Sequence, residues 1–137
     1  MTLFAGDEIS AADVPDDILY TTTTADVGTV GSGFTVNEVS GMRIALQGGG
    51  YIIQTELYLQ RSGADITATS GNIADTTCFT LASAFLPTEP ITATWDNGST
   101  SGACLFNTGG AIQMRTSIAN VVSGTNIRIS ATYLKTP

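Results

Sequence analysis

Apolar and polar positions alternate with a period of two along most of this chain beyond about residue 40. The clearest run is Ile127-Arg128-Ile129-Ser130-Ala131-Thr132-Tyr133. Ile127, Ile129, Ala131 and Tyr133 point one way and Arg128, Ser130 and Thr132 the other, as in a strand with one buried face. The stretch from Tyr51 to Arg61 repeats the pattern. Ile53, Leu57 and Leu59 lie on one side, and Ile52, Gln54, Glu56, Tyr58 and Gln60 on the other. Met42, Ile44 and Leu46 share a face in Met42-Arg43-Ile44-Ala45-Leu46. Shorter strands are predicted at residues 66–69, 78–81, 91–95, 103–106 and 111–116. Between them lie turn signals: Gly48-Gly49-Gly50, Ser62-Gly63-Ala64-Asp65, Asp96-Asn97-Gly98-Ser99 and Asn107-Thr108-Gly109-Gly110. Asn-Gly in particular tolerates the positive φ that a tight hairpin needs. About eight short strands spaced by glycine-rich turns predict an all-β fold, a jelly-roll-like antiparallel β-sandwich.

Residues 1–19 break the pattern and read as an N-terminal acidic arm, with residues 20–137 forming the β-domain. Ser10 starts a predicted helical turn there that Pro15 ends. The apolar positions Phe4, Ile9, Val14, Ile18 and Leu19 are too sparse for a core of their own. They are candidates for docking the arm onto a larger assembly.

Charge sharpens this division. The net charge is -7, and all of it lies before residue 39, where Asp7, Glu8, Asp13, Asp16, Asp17, Asp26 and Glu38 meet no Lys or Arg. Beyond that point Glu56, Asp65, Asp75, Glu89 and Asp96 are balanced by Arg43, Arg61, Arg115, Arg128 and Lys135. A neutral body with an acidic lead-in lacks the basic footprint of a nucleic-acid binder and is repelled by anionic membranes. No stretch approaches the ~18 apolar residues of a membrane span. The first residues lack the basic start and apolar run of a signal peptide, so synthesis in a cytoplasm without membrane insertion is expected.

Composition also limits the chemistry. Charged residues make up 12% of the chain against 42% hydrophobic ones, and histidine is absent. That removes the commonest general base and the Ser-His triad. Without histidine and with only Cys78 and Cys104, no metal site is expected. The two cysteines read as small buried hydrophobes that permit at most one disulfide. Glu56 and Asp65 flank a hairpin and Asp96 sits on a turn, but all three are expected to be solvated. Gly31-Ser32-Gly33 and Gly48-Gly49-Gly50 are turns, not phosphate loops, since no Lys-Ser/Thr follows. The expectation is no catalytic residue and no cofactor. Two surface candidates remain. Trp95, with Asp96 and Asn97 on the adjoining turn, could stack on and hydrogen-bond a sugar, or Trp95 fills the core or an interface. Gln54 and Tyr58, on the solvated side of their strand, are candidates for an oligomer interface.

The order Tyr58-Leu59-Gln60-Arg61-Ser62-Gly63, then Phe85-Leu86-Pro87-Thr88-Glu89-Pro90, then a closing strand ending Ala131-Thr132-Tyr133-Leu134 resembles the small jelly-roll proteins of tailed bacteriophages. These are minor tail, appendage or head-decoration proteins, especially of actinobacterial phages. The opening Phe4-Ala5-Gly6-Asp7-Glu8-Ile9-Ser10-Ala11-Ala12-Asp13-Val14 is similar to their leaders. The chain has no coiled-coil or triple-helical shaft, which favours an appended subunit over a full fibre. The resemblance implies a homotrimer built around strand faces and attached to other virion proteins through the N-terminal arm. It implies a non-enzymatic structural protein of the virion, in the tail with a role in host attachment. The alternatives are a capsid decoration protein or a carbohydrate-binding module that contacts a host surface glycan.

Overall fold

Two-faced strands of this kind must pair laterally and cover their apolar side, and the chain does both with one curled antiparallel sheet. The computed structural model describes residues 18–137. The arm candidates Phe4, Ile9 and Val14, and the turn expected between Ser10 and Pro15, lie outside the described residues. The strands are β1 (Ile18–Thr21), β2 (Gly28–Val30), β3 (Phe34–Ala45), β4 (Tyr51–Arg61) and β5 (Asn72–Leu81). They continue with β6 (Ile91–Asp96), β7 (Ser101–Phe106), β8 (Ala111–Thr116) and β9 (Asn126–Lys135). A single-turn helix α1 (Thr24–Val27) and a 3-10 turn over Ser83–Phe85 complete the fold.

The lateral order is β1-β3-β4-β9-β6-β7-β8-β5-β2. β9 pairs with β4 from Tyr51–Lys135 to Gln60–Asn126, but with β6 only at Trp95–Ile129 and Asp96–Arg128. So short a ladder lets the sheet bend sharply there. The half β1-β3-β4-β9 faces the half β6-β7-β8-β5-β2, an arrangement compatible with a β-sandwich.

The core fills the space between the halves. Ile53, Leu57, Leu59, Ile127, Ile129 and Tyr133 come from one side, and Trp95, Phe79, Phe106, Ile112 and Met114 from the other. Three contacts tie the halves together. Phe85 is fully buried and packs on Gly41, where a Cβ would come within 2.7 Å of its ring. Tyr133 donates its hydroxyl to the Phe85 carbonyl at 2.6 Å. Its ring meets Phe106 edge-on at 5.7 Å between centroids, the geometry aromatic quadrupoles favour. Within the second half, Trp95 donates its indole N–H to the Thr116 carbonyl at 2.9 Å, which satisfies the one polar atom that its burial would strand. Gly102 makes that contact possible, because a Cβ there would collide with both the Thr116 carbonyl and the indole nitrogen.

Several predicted elements differ. Ile18 and Leu19 fall inside β1, paired with Ile44 and Arg43, so the sheet takes up the last two residues assigned to the arm. β3 starts at Phe34, well before Met42, and carries a bulge between Val36 and Glu38. Residues 66–69 do not form a strand. Ile66 bridges Val121 and Thr69 bridges Asn72, while the Ala68 N–H is taken by Asn120 Oδ1 and Ser70 turns the chain at φ 52. β5 extends back to Asn72, with register shifts on either side of Thr76–Thr77. Those shifts leave consecutive Cys78 and Phe79 both buried, which no period-two pattern would forecast.

Gly102→Ala should therefore lower stability by about 3 kcal/mol, the upper end of over-packing penalties. Gly109→Ala, at a position with open space around it, should leave the denaturation midpoint nearly unchanged. Chemical denaturation of the two variants against the parent protein tests this. Equal losses would mean that the Trp95–Thr116 contact does not constrain the fold.

Candidate functional site: the outer sheet face

Because successive side chains alternate, every strand that feeds the core from one face offers a second set to solvent from the other. Across β1, β3, β4, β9 and β6 the pairing register aligns those outward side chains into rows. The first row is Ile18–Ile44–Ile52–Leu134. Next come Tyr20–Met42–Gln54–Thr132 and Ser40–Glu56–Ser130, and then Glu38–Tyr58–Arg128–Asp96. A last row of amides follows, in which Asn126 Oδ1 accepts from Asn37 Nδ2 and from Gln60 Nε2. One sheet face thus grades from wholly apolar at one end to charged and then amide-rich at the other.

The apolar end is exposed. Ile18 and Tyr20 are 63% and 64% accessible and Leu134 58%, with Ile52 and Leu46 also open to solvent. Scattered apolar residues on a surface are ordinary, but a row continuous across four strands is not.

The charged end holds a depression of about 530 Å³. It is lined by the row Glu38, Tyr58, Arg128 and Asp96 and, beside it, by Ser40, Glu56, Ser130 and Thr94. The Arg128 guanidinium stacks on the Tyr58 ring, 4.6 Å from its centroid, a cation–π contact that favours this placement of both side chains. Arg128 is therefore turned to the ring rather than to a carboxylate. Among the described residues the ion pair found is Arg115–Asp75, on the other half of the sheet. Glu38, Glu56 and Asp96 have no cationic partner there. Glu56 accepts only a long bond from Gln54, 3.4 Å, and Asp96 uses one oxygen to accept from the Gly98 N–H. A second depression of about 380 Å³ over Ser101, Ala103 and Thr116 shares Thr94 with the first and carries no charged side chain.

The sequence-derived candidates distribute unevenly over this surface. Trp95 is fully buried and presents no ring face to a sugar, so it takes the core role. Asn97 shapes the β6–β7 turn, accepting from the Ser99 and Thr100 N–H groups, with Gly98 at φ 90. Of that trio only Asp96 reaches the depression. Gln54 and Tyr58 do share the outer face, but Gln54 sits beside the apolar rows. Tyr58 lies in the depression, four residues or about 13 Å farther along the strand. Ile18 belongs to the apolar row itself, while Leu19 sits opposite Arg43. Glu56 and Asp65 are not neighbours in function: Asp65 accepts from the Ser123 N–H. The pairing of Glu38 and Arg128 with Tyr58 was invisible in the sequence, because it depends on register between strands distant along the chain.

The interior thiols are not poised for chemistry. Cys78 and Cys104 are free and buried. Burial pushes the Cys104 thiol up to about 12 and raises Cys78 as well, with the neighbouring Cys104 adding to the effect. Among the described residues no three His, Cys, Asp or Glu side chains are grouped to hold a metal ion, and no helix is long and apolar enough to cross a membrane. Comparison of the chain with family models, with curated proteins and with solved structures finds no match.

Two outcomes follow for the thiols. Both should resist maleimide labelling in the native protein and react fully once it is unfolded. Held neutral when folded, they ionise in the unfolded chain above their ordinary pKa of 9.0. Their contribution to stability is thus complete below pH 9 and declines as the pH rises towards 12. A melting temperature that climbs over that interval would contradict this.

Proposed function

We propose that this chain is a non-enzymatic structural subunit of a tailed-phage particle, in the minor tail or a tail appendage, where it contributes to host attachment. In this reading the curled sheet serves as a jelly-roll-like sandwich. It self-associates as a homotrimer, and the N-terminal segment joins it to other virion proteins. The observation that carries the reading is the exposed apolar row Ile18–Ile44–Ile52–Leu134. Apolar area of this continuity is stabilised by removal from water, at roughly 25 cal/mol per Å². A neighbouring protein surface provides that removal. Gln54, in the adjoining row, supplies hydrogen-bonding groups at the margin of the contact, consistent with the polar rims of protein interfaces.

Three further features support an assembly role. The acidic excess is concentrated ahead of the sheet and suits a basic partner surface. The chain enters the sheet at Ile18, so the segment that would reach other virion proteins begins at the apolar row. The outward rows lie on the long, regularly paired strands β3, β4 and β9 rather than on loops, a firm surface for a partner.

Light scattering on the purified protein should give a trimer mass. Exchanging Ile52 and Leu134 together for lysine should shift the mass to that of the monomer while far-ultraviolet circular dichroism stays unchanged, since both side chains point away from the core. A trimer that survives this double exchange would remove the apolar row from the interface. Deleting residues 1–17 should leave the trimer intact and abolish incorporation into particles. Immunogold labelling spread over heads rather than tails would overturn the tail assignment.

A further inference from the structure

We propose that the depression between Glu38, Glu56, Tyr58, Asp96 and Arg128 binds a saccharide that carries no acidic group. The size is suitable: about 530 Å³ lies within the ~300–1,000 Å³ typical of small-molecule sites. The lining is suitable as well. A sugar presents hydroxyls that both donate and accept, and here they meet acceptors and donors in alternation along the strands. Glu38, Glu56 and Asp96 offer carboxylate oxygens without cationic partners among the described residues. Ser40, Ser130 and Thr94 add hydroxyls to the same lining. Arg128 supplies the donors. Its guanidinium already rests on Tyr58, which lessens the side-chain freedom lost when its in-plane N–H groups engage a ligand. These side chains sit on four adjacent strands rather than on loops, and their spacing is set by the ladder. The site is therefore largely formed before anything binds.

Charge determines which saccharides fit. Three carboxylates against one guanidinium leave an excess of negative charge around the depression. A uronic, sialic or phosphorylated sugar would be repelled, whereas neutral sugars are accepted and amino sugars gain an ion pair. This departs from the site expected at Trp95 and Asn97, retaining only Asp96. It also lies away from the apolar row, so self-association leaves the depression open. The inference goes beyond the assembly reading and does not depend on it.

The test is an array of neutral, amino-sugar and acidic oligosaccharides probed with the full-length protein, followed by titration of the best binder observed by amide chemical shifts. Binding should be confined to neutral and amino sugars, with the largest shifts at Tyr58, Arg128 and Asp96. Glu56→Gln and Asp96→Asn should each weaken binding about tenfold or more, the usual loss for a charged hydrogen bond. Glu89→Gln, remote from the depression, should not. Acidic sugars binding as well as neutral ones, or no saccharide binding at all, would overturn the proposal. So would a tetralysine peptide that produces those shifts when no sugar does, because the depression would then be a seat for a basic protein segment. Light scattering on the same samples reports the trimer separately, so failure of one reading is distinguishable from failure of the other.

Discussion

β9, the last strand of the chain, lies in the middle of the sheet. It is joined along its length to β4 and at two positions to β6. Until it docks, no strand ladder joins the halves β1-β3-β4 and β6-β7-β8-β5-β2, and the core between them lacks one of its sides. Its inward side chains Ile127, Ile129 and Tyr133 complete the core, and Tyr133 reaches both Phe85 and Phe106. Pairing a strand so far along the sequence from its partners requires loop closure before any contact rewards it. Folding should accordingly be slow and strongly cooperative.

The same docking event creates the outer surface. Registering Leu134 against Ile52 extends the apolar row, and registering Arg128 between Tyr58 and Asp96 builds the wall of the depression. One ladder therefore fixes the core on one face and both candidate contact regions on the other. Substitutions at outward positions of β4 and β9 can alter partners while leaving the interior alone. The inward positions have no such freedom, since Tyr133 of β9 is held between the Phe85 carbonyl and the Phe106 ring.

Much of this architecture was legible from alternation alone. For β4 and β9 the inward and outward sets were assigned correctly, because long strands with one wet face express the period of two without interruption. The Asn97-Gly98 turn was legible because its chemistry is local. β1 and β2 were not, being short strands at the sheet margins with little burial to impose a pattern. β5 was only partly so, since its irregular register places Cys78 and Phe79 inside together. At Trp95 a turn-adjacent aromatic reads equally as a sugar platform or a core anchor. The Thr116 carbonyl and the missing Cβ of Gly102 decide for the core, and both lie on other strands. The depression escaped for the same reason: Glu38, Tyr58, Arg128 and Asp96 are scattered in sequence and adjacent only through pairing.

If the apolar end of the outer face is buried by association, as proposed, the rest of the surface stays free. Hydroxyl-radical footprinting of the intact protein, at concentrations below and above assembly, reads this side chain by side chain. Protection on assembly is expected at Ile18, Tyr20, Met42, Ile52 and Leu134. Ile118 and Val122, exposed apolar residues outside these rows, should be oxidised equally at both concentrations. Protection at Ile118 and Val122 with none across the apolar row would contradict it.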